Sequence, residues 1–165
     1  MVSILRSSIL LFASFFLLSF SNLSTINCLS FSSNFVVPEN IPGNFKKFLT
    51  DFYTAVDASD AQKSVSYFCD KPVPVVASSG KTVIGKAAII NIFKNKVADA
   101  TFEKVITSVN RVESSEGLQI VVNGRVTKTL KIGGQKTQYN YYAKLHFLDQ
   151  QYYGVLYKME SKLSS

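Results

Sequence analysis

The sequence contains no tryptophan, one histidine and two cysteines among its 165 residues, and each shortage excludes a class of protein. A zinc site built from histidine and cysteine needs more of these ligands than the chain provides. Two cysteines also cannot form a disulfide scaffold. We therefore expect a chain that folds around an ordinary hydrophobic core, without a metal site and without a cofactor.

Acidic residues are also scarce, since 11 Asp and Glu stand against 18 Lys and Arg, which gives a formal net charge of +7. The lysines of the region beyond the N-terminus are spread from Lys46 to Lys162 without a dense run. This spacing is typical of a solvated basic surface, so we expect no nucleic-acid partner. The hydrophobic fraction of 47%, with 13 Phe and 8 Tyr, indicates one globular domain.

The N-terminus carries an early charge, Arg6, followed by the apolar run "SSILLFASFFLLSFSNL". This run is short for a membrane span and is followed by small polar residues, which is typical of a cleaved signal peptide. We predict a signal peptide over residues 1–28, with cleavage near residue 21 or residue 28. The protein is then secreted or lumenal and has no stable membrane span, whereas the alternative is an anchoring helix that stays attached.

The cleavage site decides the state of the cysteines. Cleavage after residue 21 leaves both Cys28 and Cys69, which could form one disulfide. Cleavage after residue 28 leaves Cys69 alone, as a small hydrophobic side chain.

Periodicity predicts three helices and a run of strands after an extended lead-in segment over residues 29–43. The domain itself is predicted over residues 44–163. Its mid-strand glycine, Gly124, is expected at a bend or bulge of the sheet. Asp57 and Asp60 are assigned to helix ends. The expected elements, in chain order, are a helix over 44–58, a short helix after Asp60, two short strands around a turn at Ser78–Gly80, a helix in "KAAIINIFKNKV", and long antiparallel strands over Phe102–Val112, Leu118–Ile132, Thr137–Leu148 and Tyr152–Leu163.

Alternation divides the third long strand between two faces. One face, predicted to lie against the helices, carries Tyr139, Tyr141, Ala143, Leu145 and Phe147. The other face, predicted to be the outer surface, carries Tyr142, Lys144 and His146, so the only histidine is expected at or near the surface.

Gly80, Gly85 and Lys86 have the spacing of a phosphate-binding loop. The residues between the glycines, however, include Thr82, Val83 and Ile84, which favour a strand. Ala87 follows the lysine and cannot bind magnesium. The motif therefore indicates a turn and a helix start rather than a nucleotide site.

Several motifs together carry a family resemblance. Phe52, Tyr53 and Asp57 precede Tyr67, and a hairpin then leads into the run "GKAAI", with "LQIVVNGRVT" and "YYAKLHFL" further on. In this pattern the chain resembles the nuclear transport factor 2-like superfamily, most strongly the transport factor that gives it its name. The resemblance implies an α+β fold in which a curved antiparallel β-sheet wraps around N-terminal helices as a cystatin-like cone with a pocket at its open end.

The resemblance suggests a set of pocket residues, chosen as large apolar side chains on elements that line the cone. We expect a secreted, non-catalytic binding domain for an unknown small hydrophobic ligand or a protein, because no acid–base pair is recognisable around the pocket. The hairpin segment "PVPVVASSG" contains no carboxylate at all. The candidate residues are Tyr53, Phe68, Val76, Ile92, Tyr141 and Tyr157.

Two other functions remain open. One is a transport adaptor that binds a small GTPase and nucleoporins, although "GRVTKTLK" is basic where that adaptor is acidic. The other is an isomerase-like or dehydratase-like enzyme that uses the cone pocket, with Tyr53 as a hydroxyl donor. The resemblance further suggests a homodimer through the outer sheet face, with Tyr142 and Tyr152 as contact candidates.

Overall fold

A computed structural model of the chain describes residues 29–95, 100–115, 117–148 and 156–165. Within these ranges the chain forms three helices and seven strands, in the α+β arrangement expected from the sequence. The helices are α1 (Phe45–Asp57), α2 (Ala61–Ser66) and α3 (Lys86–Asn95), and the strands are β1 (Leu29–Phe31), β2 (Val75–Ser78), β3 (Lys81–Ile84), β4 (Ala100–Val112), β5 (Leu118–Leu130), β6 (Lys136–Phe147) and β7 (Leu156–Ser164).

The strands form one sheet in the order β1-β4-β5-β6-β7-β2-β3. Strands β4 to β7 pair antiparallel in sequence order, which confirms the predicted meander. Strand β2 pairs parallel to β7, and β1 pairs parallel to β4. Sequence periodicity did not predict these two parallel pairings. The predicted start of the last strand, Tyr152, lies outside the described residues.

Helix α1 forms where aromatic and aliphatic side chains recur at helical spacing, and these side chains make up most of the buried helix face. Helix α2 begins after Asp60, whose Oδ1 accepts a hydrogen bond from the Lys63 backbone N–H at 3.0 Å. This contact confirms the predicted N-cap, because it satisfies one of the backbone donors left open in the first turn. The buried residues of α1 are Phe45, Phe48, Leu49, Phe52, Tyr53, Ala55 and Val56.

The glycine–lysine motif is a turn and a helix start. Ser79 and Gly80 have φ values of 49° and 82°, which connect β2 to β3 as a tight hairpin. The residues between Gly80 and Gly85 pair with β2 rather than surrounding a phosphate. Lys86 lies 2.7 Å from an oxygen of Asp70.

The sheet bends at Gly124, as predicted. The β4–β5 register slips between Ile106 and Ser108, directly opposite this glycine. A Cβ atom at position 124 would lie 2.3 Å from the carbonyl oxygen of Val105, so only glycine allows this approach of the two strands. A bulge of this kind bends a strand, which is how a sheet can curve over packed helices.

The lead-in segment contributes to the core, because Leu29 and Ile41 are both buried. On β6, four of the five residues of the predicted inner face are buried, namely Tyr141, Ala143, Leu145 and Phe147, whereas Tyr139 is half-buried. None of the helices in the described ranges is long and apolar enough to cross a membrane.

Candidate functional site

A pair of tyrosines lies inside the fold, between helix α1 and strand β6. The buried face of α1 brings Tyr53 inward, and the inner alternation of β6 brings Tyr141 opposite it. Their hydroxyl oxygens are 2.5 Å apart, and their rings meet edge to face with centroids 6.0 Å apart. One hydroxyl donates to the other, so this hydrogen bond joins the helix to the sheet.

Burial raises the pKa of Tyr53, because a phenolate is poorly stabilised away from water, and the negative charge of Asp57 adds to the rise. Burial and the neighbouring Tyr53 raise the pKa of Tyr141 well above its usual range. Both groups therefore stay neutral hydrogen-bonding groups at physiological pH.

The raised pKa of Tyr53 and of Tyr141 predicts a loss of stability at alkaline pH. The folded protein holds both phenolic protons above the ordinary pKa of 10.0, at which the unfolded chain releases them. The two protonated hydroxyls therefore contribute their full stabilisation of the folded state below that pH, and this contribution is lost as the pH rises further. We expect the free energy of unfolding to fall above pH 10, and the phenolate absorbance of these two residues to appear only with unfolding. Absorbance at a phenolate wavelength, recorded together with circular dichroism across an alkaline titration, checks this.

A buried ion pair lies beside the tyrosines. Lys104 of β4 shares the inner face with Ile106, and its ammonium group reaches Asp57 at the end of α1. The Nζ atom donates to both carboxylate oxygens, at 2.6 Å for Oδ2, and the two side chains are only 3% and 5% exposed. The same Nζ lies 5.4 Å from the ring centroid of Tyr53, within cation–π range.

Sequence analysis did not single out this ion pair. Asp57 is the last residue of α1, as predicted, but its carboxylate pairs with Lys104 of the sheet, and the C-cap residue is Ala58. A lysine at an inner position of β4, in alternation with Ile106, was the available signal. Its partner could not be read from the sequence, because 47 residues separate the two.

The other predicted pocket residues fall into two groups. Phe68 and Val76 are buried in the same core as the tyrosines, and Ile92 of α3 is half-buried against it. Tyr157 lies elsewhere, because its ring packs at 5.7 Å against His146, which alternates with the inward Leu145 and so belongs to the opposite face of the sheet.

Aromatic rings fill the space between α1, α2 and α3. The ring of Phe52 stacks on Phe48 and meets Tyr67, Phe68 and Phe93 edge to face. These contacts give the interior an aromatic lining whose shape fixes the helices against one another.

The sequence predicted the correct strand face for His146, but the prediction that its side chain is exposed at or near the surface is wrong. The side chain is on the outer face, as alternation indicates, but it is only 2% exposed. Its Nε2 atom lies 3.1 Å from Oε1 of Glu160, and the same carboxylate oxygen is 2.8 Å from Lys158. The ring of Tyr157 packs on it, and the Nδ1 atom is buried without a hydrogen-bond partner. Alternation gives the face of a strand, but not what covers it.

Burial lowers the pKa of His146, against the opposing effect of Glu160. A lowered pKa means that this group contributes stability above its ordinary pKa of 6.5, and that the contribution is lost as the pH falls. We expect the wild-type protein to lose stability between pH 7.5 and pH 5, and the His146→Gln variant to lose less. Urea unfolding at the two pH values checks this. An equal loss in both proteins assigns the acid sensitivity to other groups.

The tyrosine pair gives a second stability prediction. Tyr53→Phe leaves the Tyr141 hydroxyl buried without its partner, and we expect it to lower the free energy of unfolding by about 1–3 kcal/mol. The double variant with Tyr141→Phe removes both polar groups, and we expect it to recover most of that loss. A double-mutant cycle by urea unfolding measures the coupling. Additive losses would contradict a direct hydrogen bond.

Two further predictions from the sequence concern the cysteines and a metal site. Cys69 is a buried thiol that donates to the carbonyl oxygen of Pro72 at 3.1 Å. Cys28 lies outside the described residues, so their pairing stays a prediction. In the described ranges, no three His, Cys, Asp or Glu side chains come together as metal ligands.

No protein-family profile matches the chain, and no curated protein sequence matches it. Solved structures do match. A protein from Bacillus subtilis provisionally described as an isomerase is 14% identical over 74% of this chain and 90% of its own, with a TM-score of 0.57. A Streptomyces avermitilis protein provisionally described as a dehydratase of the nuclear transport factor 2-like family is 12% identical over 73% of this chain and 93% of its own, with a TM-score of 0.58.

A third structure is the orange carotenoid protein of Anabaena (Nostoc) sp. binding canthaxanthin. It is 16% identical over 79% of this chain, with a TM-score of 0.58, and the chain spans 39% of that longer protein. At these identities the comparisons define the fold. The chain has the cone-shaped α+β fold of the nuclear transport factor 2-like superfamily, which confirms the fold class expected from its sequence.

Proposed function

We propose that this chain is a secreted or lumenal, non-catalytic binding domain whose cone holds a small hydrophobic ligand with one polar group. The observation that carries this proposal is the mutual pairing of the polar groups in the cone. Asp57 is held by Lys104, and the hydroxyls of Tyr53 and Tyr141 hydrogen-bond to each other, all of them buried.

This pairing favours binding over catalysis. A general base must reach a substrate proton with an available lone pair, and its pKa must suit the working pH. Both oxygens of the Asp57 carboxylate accept hydrogen bonds from the Lys104 ammonium group. The raised pKa of each tyrosine keeps both hydroxyls protonated. A hydrogen-bonding tyrosine pair can still anchor the polar end of a ligand by exchanging its internal bond for one to the ligand.

The lining suits an apolar ligand. Phe68 and Val76 are buried in the same core as the tyrosine pair, and the rings of Phe52 and Phe93 pack against Phe68. Pockets of this composition bind chiefly by apolar burial, with a few polar groups fixing orientation. The related fold of a protein that binds canthaxanthin supports this ligand class. Ile92 of α3 is half-buried against this core, and in this proposal it moves aside to admit the ligand.

The secretory location is supported by the sequence alone. The apolar run after Arg6, with small polar residues behind it, lies in the part of the chain outside the described residues.

The binding proposal is tested with defined apolar probes. Canthaxanthin, a C18 fatty acid and a steroid are titrated into the full chain, with the thermal midpoint and tyrosine fluorescence as readouts. We expect saturable binding of at least one probe, weakened in the Tyr53→Phe variant and unchanged in Tyr157→Phe, a matched change beside His146 on the outer face. Failure of all three probes to bind, or equal weakening in both variants, would contradict a ligand site at the tyrosine pair.

An enzyme is the second candidate, because one observation favours it. A tyrosine hydroxyl, a lysine and a carboxylate are gathered inside a cone whose structural neighbours include proteins described as isomerase and dehydratase. In that case Tyr53 would stabilise an oxyanion and Asp57 would move a proton after release from Lys104. Recovery of a probe in chemically altered form would support this candidate over simple binding, provided that the Asp57→Asn variant no longer alters the probe.

A further inference from the structure

The outer face of the sheet, the side of β4–β7 opposite the helices, carries two open clefts that adjoin one another. One cleft, of about 570 Å³, lies between the β2–β3 hairpin and the outer side chains of β6 and β7. The second, of about 460 Å³, lies over the bend at Gly124. Tyr142 and Lys162 line both clefts, so the two form a continuous depression, which we call the outer cleft.

The charge on this face is strongly asymmetric. Across β4 to β7 the register places five cationic side chains on the outer face and two carboxylates, Glu103 and Glu160. The Glu160 carboxylate is already in contact with Lys158 and His146, so it offsets little of the remaining charge. The five cationic residues are Arg125, Lys136, Lys144, Lys158 and Lys162.

These cations follow the strands in successive rows. Arg125 lies in a row with Asn140, Tyr142 pairs with Lys162 in the next row, and Lys144 pairs with Glu160 in the row beyond. Rows on one face of a sheet are about 7 Å apart along the strand. Positive charge therefore repeats along the face rather than meeting at one point.

The neutral groups of the outer cleft are an aromatic ring and hydrogen-bonding side chains. Tyr142 is 38% exposed and stands in the middle of the depression. The amides of Asn123 and Asn140 lie beside it. Ser78 and Ser161 also border the hairpin side, but their hydroxyls bond to each other at 3.0 Å and Ser161 pairs with the inward Ala143. An exposed ring flanked by amides suits the apolar faces and hydroxyl edges of a sugar, and the repeated cations suit a chain of acidic sugars.

We propose that the outer cleft binds an acidic polysaccharide, that is, a chain of sugars bearing carboxylate or sulfate groups. Tyr142 provides the stacking surface, the asparagines bind the hydroxyls, and Arg125, Lys144 and Lys162 bind successive anionic groups. The outer-face side chains of this site lie on the opposite side of the sheet from the buried tyrosine hydroxyls, although Tyr141 also borders the second cleft.

A second copy of the chain fits this face less well. A two-fold symmetric dimer through it brings the same patch of each chain against the other. Each cationic patch would then face its own copy, and like charges in an interface oppose association. The homodimer predicted from the family resemblance is therefore an outcome that the experiment must distinguish.

The test compares two charge-matched double variants of the full chain. Arg125→Gln with Lys162→Gln removes two cations from the outer cleft. Lys63→Gln with Lys94→Gln removes two exposed cations from the helices, on the other side of the sheet. The probes for calorimetric titration are an oligogalacturonate, a sulfated heparin oligosaccharide and a neutral dextran oligomer.

We expect binding of at least one acidic probe and not of dextran, weakened about tenfold in the outer-cleft variant and less than about twofold in the helix variant. The two acidic probes distinguish carboxylate from sulfate as the anionic group. Tyr142→Ala should weaken binding without changing the net charge, and a thermal midpoint close to wild type shows that each variant folds.

Three results would overturn the proposal. The first is no binding of either acidic probe by the wild-type chain. The second is equal weakening in the two double variants, which would show attraction to net charge alone. The third is a wild-type dimer in light scattering that the outer-cleft variant disrupts, which would assign this face to a second copy.

Discussion

Replacing Lys104 with methionine is expected to lower the free energy of unfolding by about 3–5 kcal/mol, because the change removes the ammonium group that contacts both oxygens of the buried Asp57 carboxylate. Both side chains are at most 5% exposed, so water cannot replace the lost ammonium group. The Tyr53 ring also loses the cation that lies 5.4 Å from its centroid. Urea unfolding followed by circular dichroism measures the loss.

The double variant Lys104→Met with Asp57→Leu separates the cost of an unpaired charge from the value of the pair. Removing both charges leaves apolar side chains of similar size in an apolar core, and we expect stability within about 2 kcal/mol of the wild type. A single variant that loses less than about 1 kcal/mol would contradict a buried ion pair and would place Lys104 in contact with water.

The second large effect is expected at Gly124. An alanine there would place its Cβ atom 2.3 Å from the Val105 carbonyl oxygen, so the backbone of β4 or β5 must move. We expect Gly124→Ala to lower the free energy of unfolding by about 3 kcal/mol, at the upper end of the usual cost of overpacking. Because β4 and β5 pair along most of their length, the movement would disturb the bend that turns the sheet towards the helices.

Gly43 provides the matched control. An added Cβ atom at that position meets nothing within 4 Å, and its φ is not in the left-handed range. We expect Gly43→Ala to change stability by less than about 0.5 kcal/mol. Equal losses at the two glycines would contradict the close approach of β4 and β5 at the bend.

Local patterns of the sequence predicted much of the fold. The apolar stripe of α1, the Asp60 cap, the hairpin at Ser79 and Gly80 and the bend at Gly124 all depend on residues within a few positions of one another. In each case a physical requirement, such as an unsatisfied backbone donor or a position with no room for a Cβ atom, determines the residue type.

The errors concern contacts between distant parts of the chain. Alternation predicted the outer face for His146, but it contained no information on Glu160 as its partner, and the buried pair of Lys104 and Asp57 was not predicted at all. The parallel pairings of β1 with β4 and of β2 with β7 likewise join segments far apart in sequence. Such contacts depend on how the sheet closes over the helices, which periodicity does not describe.

Native mass spectrometry of the natural protein, isolated separately from its producing cells and from their medium, tests the central claim most directly. The account predicts a chain in the medium that begins near residue 22 or residue 29 and carries a small apolar molecule, which organic extraction recovers chemically unchanged. A chain that keeps Met1 inside the cell, or a medium form that neither carries nor takes up an apolar molecule, would contradict a secreted binding domain.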